Sequence, residues 1–465
     1  MKKIVLSLSL LLALFSAEAE VIAGDLSGDI LLQFLADNYK TTYTLGYDEA
    51  RDIMYSEIDL QPYNLLECVY SGFTIELDPS LDPSTDAFYK GINCEHTWPQ
   101  SYGSGSEPQK SDMHHLFPSK DNVNSSRGNS PFAENIDTET DKWYYNDIVL
   151  EEIPLTNIDK YSEKDNGGSG YFEPRESHKG DAARAVFYFY TMYQDVADDD
   201  FFLEQKDILF KWHIYDPVSE VEMQRSDAIA EYQDYPNPFV IDETLINRIW
   251  YQDFLVQDRA LIDQQKLSFI EAEDFVSGKS FVFTNCYEAD IYIEEIFFDT
   301  PDLFQTNFAT TDFPLVAERL VDLEINVLAL DNQRDLLSDT LRIVTEQGIF
   351  SLEVEYDPQY IVEAETDLLP LAELSNYPNP FNPTAGERAS ATTISYSLDS
   401  AASPEISIYN ARGEKVKSFS ELAAGRGEVI WNGKDAQDKI VPSGIYFYRL
   451  QSDNFSKTAK MLLLK

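Results

Sequence analysis

The chain is poor in cysteine: Cys68, Cys94 and Cys286 are the only three in 465 residues. That excludes a small disulfide-stapled scaffold and leaves at most one pair to close in an oxidising compartment. Positive charge is scarce as well. Thirty-five Lys and Arg stand against 82 Asp and Glu, a formal net charge of −47. Such a surface repels polyanions at long range. Taken alone it speaks against nucleic-acid binding, which relies on Lys and Arg to neutralise phosphate. Long hydrophobic runs are missing too: no stretch reaches the roughly eighteen apolar residues of a membrane-spanning helix. A His-Glu-x-x-His pattern is absent, and Cys94 has no Cys-His partner set at zinc-ligand spacing, which argues against a zinc hydrolase.

What is present is the composition of a globular protein, 43% hydrophobic with 28 Tyr and 28 Phe, enough to bury cores rather than stay disordered. The length implies about two to four domains. Lys2 and Lys3, the apolar run Ile4 to Phe15, and Ala17-Glu18-Ala19 make residues 1–19 read as a secretory signal. The mature protein is therefore expected to be secreted, or attached to the cell surface after export, with no transmembrane segment.

Residues 25–265 mix helical and extended patterns. Asp181 to Tyr193 is aromatic and alanine-rich and reads as a buried helix. Leu245 to Lys266 reads as an amphipathic one, with Ile246, Ile249, Trp250, Phe254 and Leu255 at helical spacing. From 268 to 362, short alternating runs such as SFVFTN and FSLEVEY predict a β-sandwich. The acidic stretch 363–376 reads as a linker. Residues 377–465 alternate again (TTISYSL, GIYFYRL) and predict a second sandwich. Cys68 and Cys94 fall in one proposed domain, so they are the candidate disulfide pair; three unpaired buried thiols are the equal alternative.

Chemistry concentrates between Gly91 and Phe132, which holds three of the five histidines: His96, His114 and His115. Glu95 offers a hard oxygen to Mg²⁺, and adjacent His96 can take a proton from water. Asp112-Met113-His114-His115 opens a second extended run, ended by Pro118. Lys120 to Asn129 starts like a helix. A strand, a loop, a strand and a short helix can bring Glu95, His96, His115 and Asn124 together. A base, a metal and a cation such as Arg127 are what phosphodiester cleavage requires. The segment carries Glu95, Glu107, Asp112 and Asp121 against Lys110, Lys120 and Arg127, a net −1. The acidity lies elsewhere, and exposed charges are screened over about 8 Å at physiological salt.

These blocks resemble the endonuclease I family of secreted or periplasmic bacterial nucleases with a ββα-metal (His-Me finger) site. The resemblance rests on Glu95-His96-Thr97-Trp98-Pro99, Asp112-Met113-His114, Val123-Asn124 and Arg127-Gly128-Asn129. It continues through Lys179-Gly180-Asp181-Ala182-Ala183-Arg184, Trp212, Asp216-Pro217-Val218, Glu222, Arg225 and Asn237-Pro238-Phe239, and covers roughly residues 40–256. It implies a low-specificity, metal-dependent endonuclease acting on DNA, with RNA left open as a second substrate. His96 would be the general base, and Glu95 and Asn124 the ligands of Mg²⁺ or of another divalent cation such as Ca²⁺ or Mn²⁺. Arg127 and Arg184 would contact phosphate, and His115 and Asp112 would orient the base. The chain departs from the family's better-known members in a short segment between Glu95-His96 and Asp112 whose one cation is Lys110, in His115 where those members carry Asn, and in its few cysteines.

The tail, from Tyr377-Pro378-Asn379-Pro380-Phe381 to Lys460-Met461-Leu462-Leu463-Leu464-Lys465, resembles the C-terminal sorting domain of the type IX secretion system. That implies the secretion machinery as a partner. The expected fold class is α+β: a ββα-metal nuclease domain followed by two Ig-like β-sandwiches. The alternative is a surface binding or adhesion protein carrying an inactive nuclease domain.

Overall fold

The computed structural model describes residues 21–463 apart from 166–169, 271–273, 275–277, 301–302, 307–314, 330–336, 357–372, 380, 384–390, 398–403, 411–414, 421, 424–425, 438 and 453–454. The signal at 1–19 and the linker up to 372 lie outside the described residues. The last linker residues, 373–376, open the strand Glu373–Tyr377. The chain divides into two compact units, one of 1–267, 280–327 and 339–354, the other of 268–279, 328–338 and 355–465.

In the first unit the aromatic helix Lys179–Met192 is buried along nearly its whole length. It packs with Asp199–Tyr215, whose first turn is capped by the Asp198 carboxylate accepting from Phe201 N at 2.9 Å. Gly180 is required at its start: a Cβ there would lie 1.9 Å from the Asp216 carbonyl oxygen. Around this pair gather Trp98, Phe132, Phe172, Phe239 and Ile246. The Trp98 ring stacks on Phe189 at 4.8 Å. A second core holds Met54, Tyr55, Leu66, Ile75, Ile92, Met113, Leu116 and Ile229.

The strand Ile92–His96 pairs antiparallel with Leu116–Lys120, and the chain then turns at once into the helix Asp121–Arg127. Gly128, at φ 54, ends that helix in a conformation glycine adopts freely. Two details differ from expectation. Met113–His115 is a 3₁₀ turn rather than extended, because the Asp112 side chain accepts from His114 N at 3.1 Å and starts it. Pro118 does not end the second strand but sits inside it, opposite Cys94. A two-stranded ladder tolerates its missing N–H, and its carbonyl accepts from Val69 N at 3.0 Å.

The three cysteines are free, so the candidate Cys68–Cys94 disulfide does not form. Cys68 belongs to the aromatic core and Cys94 packs on the other one, so the two thiols serve different cores.

The predicted helix at Leu245–Lys266 stops at Trp250. Leu255–Gln257 and Ala260–Ile262 instead form a hairpin through left-handed Asp258 (φ 53), and Ala260–Ile262 pairs on with Phe283–Asn285. Tertiary pairing has overridden helical spacing. In the same unit Ile291–Phe298 pairs with Leu315–Ala317 and with Leu341–Thr345. Leu261, Cys286 and Leu320 join the aromatic core.

The second unit contains two antiparallel sheets. One is Glu373–Tyr377, Thr392–Ser397 and Arg426–Trp431; the other is Lys415–Phe419, Glu405–Asn410, Gly444–Ser452 and Phe455–Leu463. Ile394, Trp431, Ile406, Tyr448 and Leu463 meet between them, which makes the predicted sandwich.

Candidate active site

Glu95 and His96 end the first strand of the hairpin, and neighbours on a strand face opposite sides. Glu95 is 2% exposed. Its Oε1 accepts from the Tyr70 hydroxyl at 2.9 Å and lies 3.4 Å from Nη1 of Arg127. Burial raises its pKa to about 7, against the opposing pull of Arg127 and Tyr70.

His96 is 8% exposed. Its ring lies 5.4 Å from that of Tyr47 and 5.6 Å from that of His115. Nε2 is 3.1 Å from the Lys110 carbonyl oxygen. Burial first, then the neighbouring His115, push its pKa down to about 3. The ring is therefore neutral. A carbonyl only accepts, so Nε2 carries the proton and Nδ1 is left with a lone pair. The Gln100 amide nitrogen lies 3.4 Å from both Nδ1 and Nε2. That is a neutral imidazole held in one tautomer by the backbone.

His115 is fixed in the same way, its Nε2–H donating to the Gln109 carbonyl at 2.7 Å. Its ring packs on Phe189 at 4.8 Å, and its Nδ1 is buried without a hydrogen-bond partner. Among the described residues, no hydrogen bond joins the Asp112 carboxylate to the ring of His96 or of His115. Its carboxylate instead accepts from Tyr188 and Tyr193 hydroxyls at 2.9 and 2.7 Å and from Gln233 Nε2 at 2.8 Å. It anchors the turn that carries His115.

Asn124 lies on the helix behind the hairpin and donates from Nδ2 to the Cys94 carbonyl at 3.1 Å. That bond orients the amide through Nδ2 and makes no use of Oδ1. Among the described residues no three His, Cys, Asp or Glu side chains form a metal cage. Mg²⁺ is usually held by one or two carboxylates and keeps several waters. Glu95, both of whose contacts fall on Oε1, and the Asn124 amide oxygen fit such a hard cation.

The two arginines hold structural posts. Arg127 is 1% exposed and donates to the His96 carbonyl at 3.2 Å and the Thr97 carbonyl at 2.6 Å; it clamps the strand end that presents the base. Arg184, fully buried, makes a fork to Glu222 at 2.7 and 2.6 Å and donates to the Asp216 carbonyl at 2.9 Å. Among its contacts are none of Glu95, His96 or Asn124. Neither guanidinium is presented to solvent as a phosphate contact requires. Sequence reasoning missed Tyr70, Tyr47 and the Lys110 carbonyl, because no local pattern ties them to the motif. Gln100 was visible, one residue past Trp98-Pro99.

The comparison with protein families agrees with this geometry. Residues 31–244 match the Endonuclease I family. Residues 382–455 match the FlgD Ig-like domain. An extracellular ribonuclease of Bacillus subtilis (strain 168) is 33% identical over 174 residues, covering 34% of this chain and 54% of that protein. The extracellular ribonuclease of Bacillus amyloliquefaciens is 31% identical over 186 residues, with 34% and 53% covered. The chain thus spans about half the length of the curated relatives it matches. Among solved structures, PorZ, a surface component of the type IX secretion system of Porphyromonas gingivalis, aligns at 20% identity over 27% of this chain and 15% of that one. Its TM-score of 0.17 carries no argument about fold.

Proposed function

We propose that the chain is a secreted, metal-dependent endonuclease that hydrolyses phosphodiester bonds of RNA and DNA with low sequence specificity. The observation that carries this reading is a buried histidine, its Nε2 tied to the Lys110 carbonyl, in sequence beside a buried carboxylate whose hydrogen bond and ion pair both fall on Oε1. The antiparallel hairpin followed at once by a helix supports a ββα-metal reading. The Endonuclease I match and the two ribonuclease relatives support nuclease chemistry.

In this reading Nδ1 of His96 takes the proton of the attacking water, and the Lys110 carbonyl stabilises the imidazolium that forms. Arg127 keeps the strand end rigid. Tyr70 and Arg127 hold Glu95 Oε1, leaving Oε2 for a cation, and Asn124 supplies an amide oxygen. A divalent ion bound there supplies charge stabilisation for the phosphate and the leaving oxygen. Mg²⁺ is the ion this donor set favours, with Ca²⁺ and Mn²⁺ as substitutes.

The tail sandwich and its FlgD Ig-like match support a sorting role through type IX secretion machinery, with the signal at 1–19 directing the first export step. Deleting residues 377–465 would then leave the protein inside the outer membrane.

The test is digestion of plasmid DNA and of RNA by the mature protein with Mg²⁺ and with EDTA. Cleavage that requires metal supports the reading. No cleavage across several divalent ions overturns it and favours an adhesion protein with an inactive nuclease domain.

A further inference from the structure

With Arg127 and Arg184 buried against carboxylates and carbonyls, other cations must meet a polyanion near His96. Two do, both on one ring. The Lys110 ammonium sits 4.7 Å from the centroid of Tyr47, and the Arg51 guanidinium 4.6 Å from it. The same ring lies 5.4 Å from that of His96. Tyr47 and Arg51 come from the helix Tyr47–Ile53, one turn apart on one face. Lys110 comes from the 3₁₀ turn Gln109–Ser111.

Most described cations of this acidic chain are paired with a carboxylate. Lys110 has no such partner among the described residues, and its charge rests on the aromatic face alone. Arg51 has one, Asp48 at 2.7 Å, whose side chain is 91% exposed, so the pair is weak and exchangeable. The Arg51 Nε–H is buried without an acceptor. One cation with no carboxylate and one with an exchangeable carboxylate, both on a ring beside His96, fit an anion with several oxygens.

We propose that Arg51 and Lys110, positioned by Tyr47, form a subsite for a phosphate of the nucleic-acid strand next to His96. This rests on the nuclease reading for its substrate, but its binding can be measured without turnover.

The experiment uses the full mature chain carrying His96→Ala and a fluorescently labelled single-stranded oligonucleotide, followed by anisotropy across a salt series. Each lost phosphate contact should lower the slope of log affinity against log salt by about 0.7. Lys110→Gln and Arg51→Gln should each weaken binding severalfold, the double variant more, and Lys110→Arg should restore it. Tyr47→Phe should bind normally, whereas Tyr47→Leu should bind like Lys110→Gln. In the otherwise wild-type enzyme, the double variant should raise KM severalfold. Unchanged affinity and salt slope in the double variant would overturn the subsite. Oligonucleotide binding that depends on both cations, in a wild-type chain that cleaves nothing, would uphold the subsite and refute the nuclease.

Discussion

The carbonyl oxygen of Lys110 lies 3.1 Å from Nε2 of His96, and this contact decides which nitrogen of the ring keeps its lone pair. With burial holding the imidazole neutral, the proton is on Nε2 and the lone pair on Nδ1. Nitrogen-detected NMR of labelled protein at pH 7 should show a neutral His96 with Nε2 protonated. A charged ring, or the opposite tautomer, would remove the base from the mechanism.

Arg127 joins the helix Asp121–Arg127 to the strand end through the His96 and Thr97 carbonyls and faces Glu95. Lysine keeps the charge but not the fork. Arg127→Lys should cost about 1–3 kcal/mol of stability, the range for buried groups left unsatisfied. It should lower kcat more than it raises KM. Urea melts and steady-state kinetics read both.

His213 is buried, bonded from Nε2 to the Glu243 carbonyl at 2.8 Å, and burial together with Arg184 pulls its pKa down to about 3. The unfolded chain binds its proton near pH 6.5. The stability gained by keeping it neutral is therefore whole above pH 6.5 and is lost as pH falls toward 3. His96, His114, His115 and His178 are shifted the same way by burial. Raised carboxyls such as Asp216, pushed up to about 6, act oppositely, losing stability as pH rises through that value. His213→Gln should flatten the fall in stability between pH 6.5 and 3 by up to about 1.4 kcal/mol per pH unit, read from denaturant melts at several pH values.

Leu320 shares a core with Phe210 and Trp212, and Lys211 meets Asp322 at 2.7 Å. The segment after residue 280 is thus part of the first unit's own packing. Leu320→Ala should cost about 2–5 kcal/mol and lower the temperature at which cleavage is lost. An unchanged melting temperature would show that the seam carries no stability.

The hairpin and helix were legible because their signals are local: the motif blocks, the helix start after Lys120 and the glycine at 128 lie within forty residues. So were most strands of the β-rich region after residue 279, where alternation reports one buried face. What was hidden depends on distant partners. Asp112 makes a turn because Tyr188, Tyr193 and Gln233 complete its hydrogen bonds, and none of them is near in sequence. Ile246, Ile249 and Leu255 have helical spacing, yet residues 255–262 pair as strands because Phe283–Asn285 offers an edge. Arg127 and Arg184 read as phosphate contacts because sequence does not reveal burial.

The central claim is that His96 activates water for metal-assisted phosphodiester cleavage. Its most direct test is the cleavage rate of RNA and plasmid DNA by the wild-type chain and by His96→Ala, each with Mg²⁺ and with EDTA. The account predicts cleavage that EDTA abolishes and that falls by about 10²–10⁴-fold in the variant, whose fold stays intact by circular dichroism. Equal cleavage by His96→Ala, or cleavage undiminished in EDTA, would contradict it.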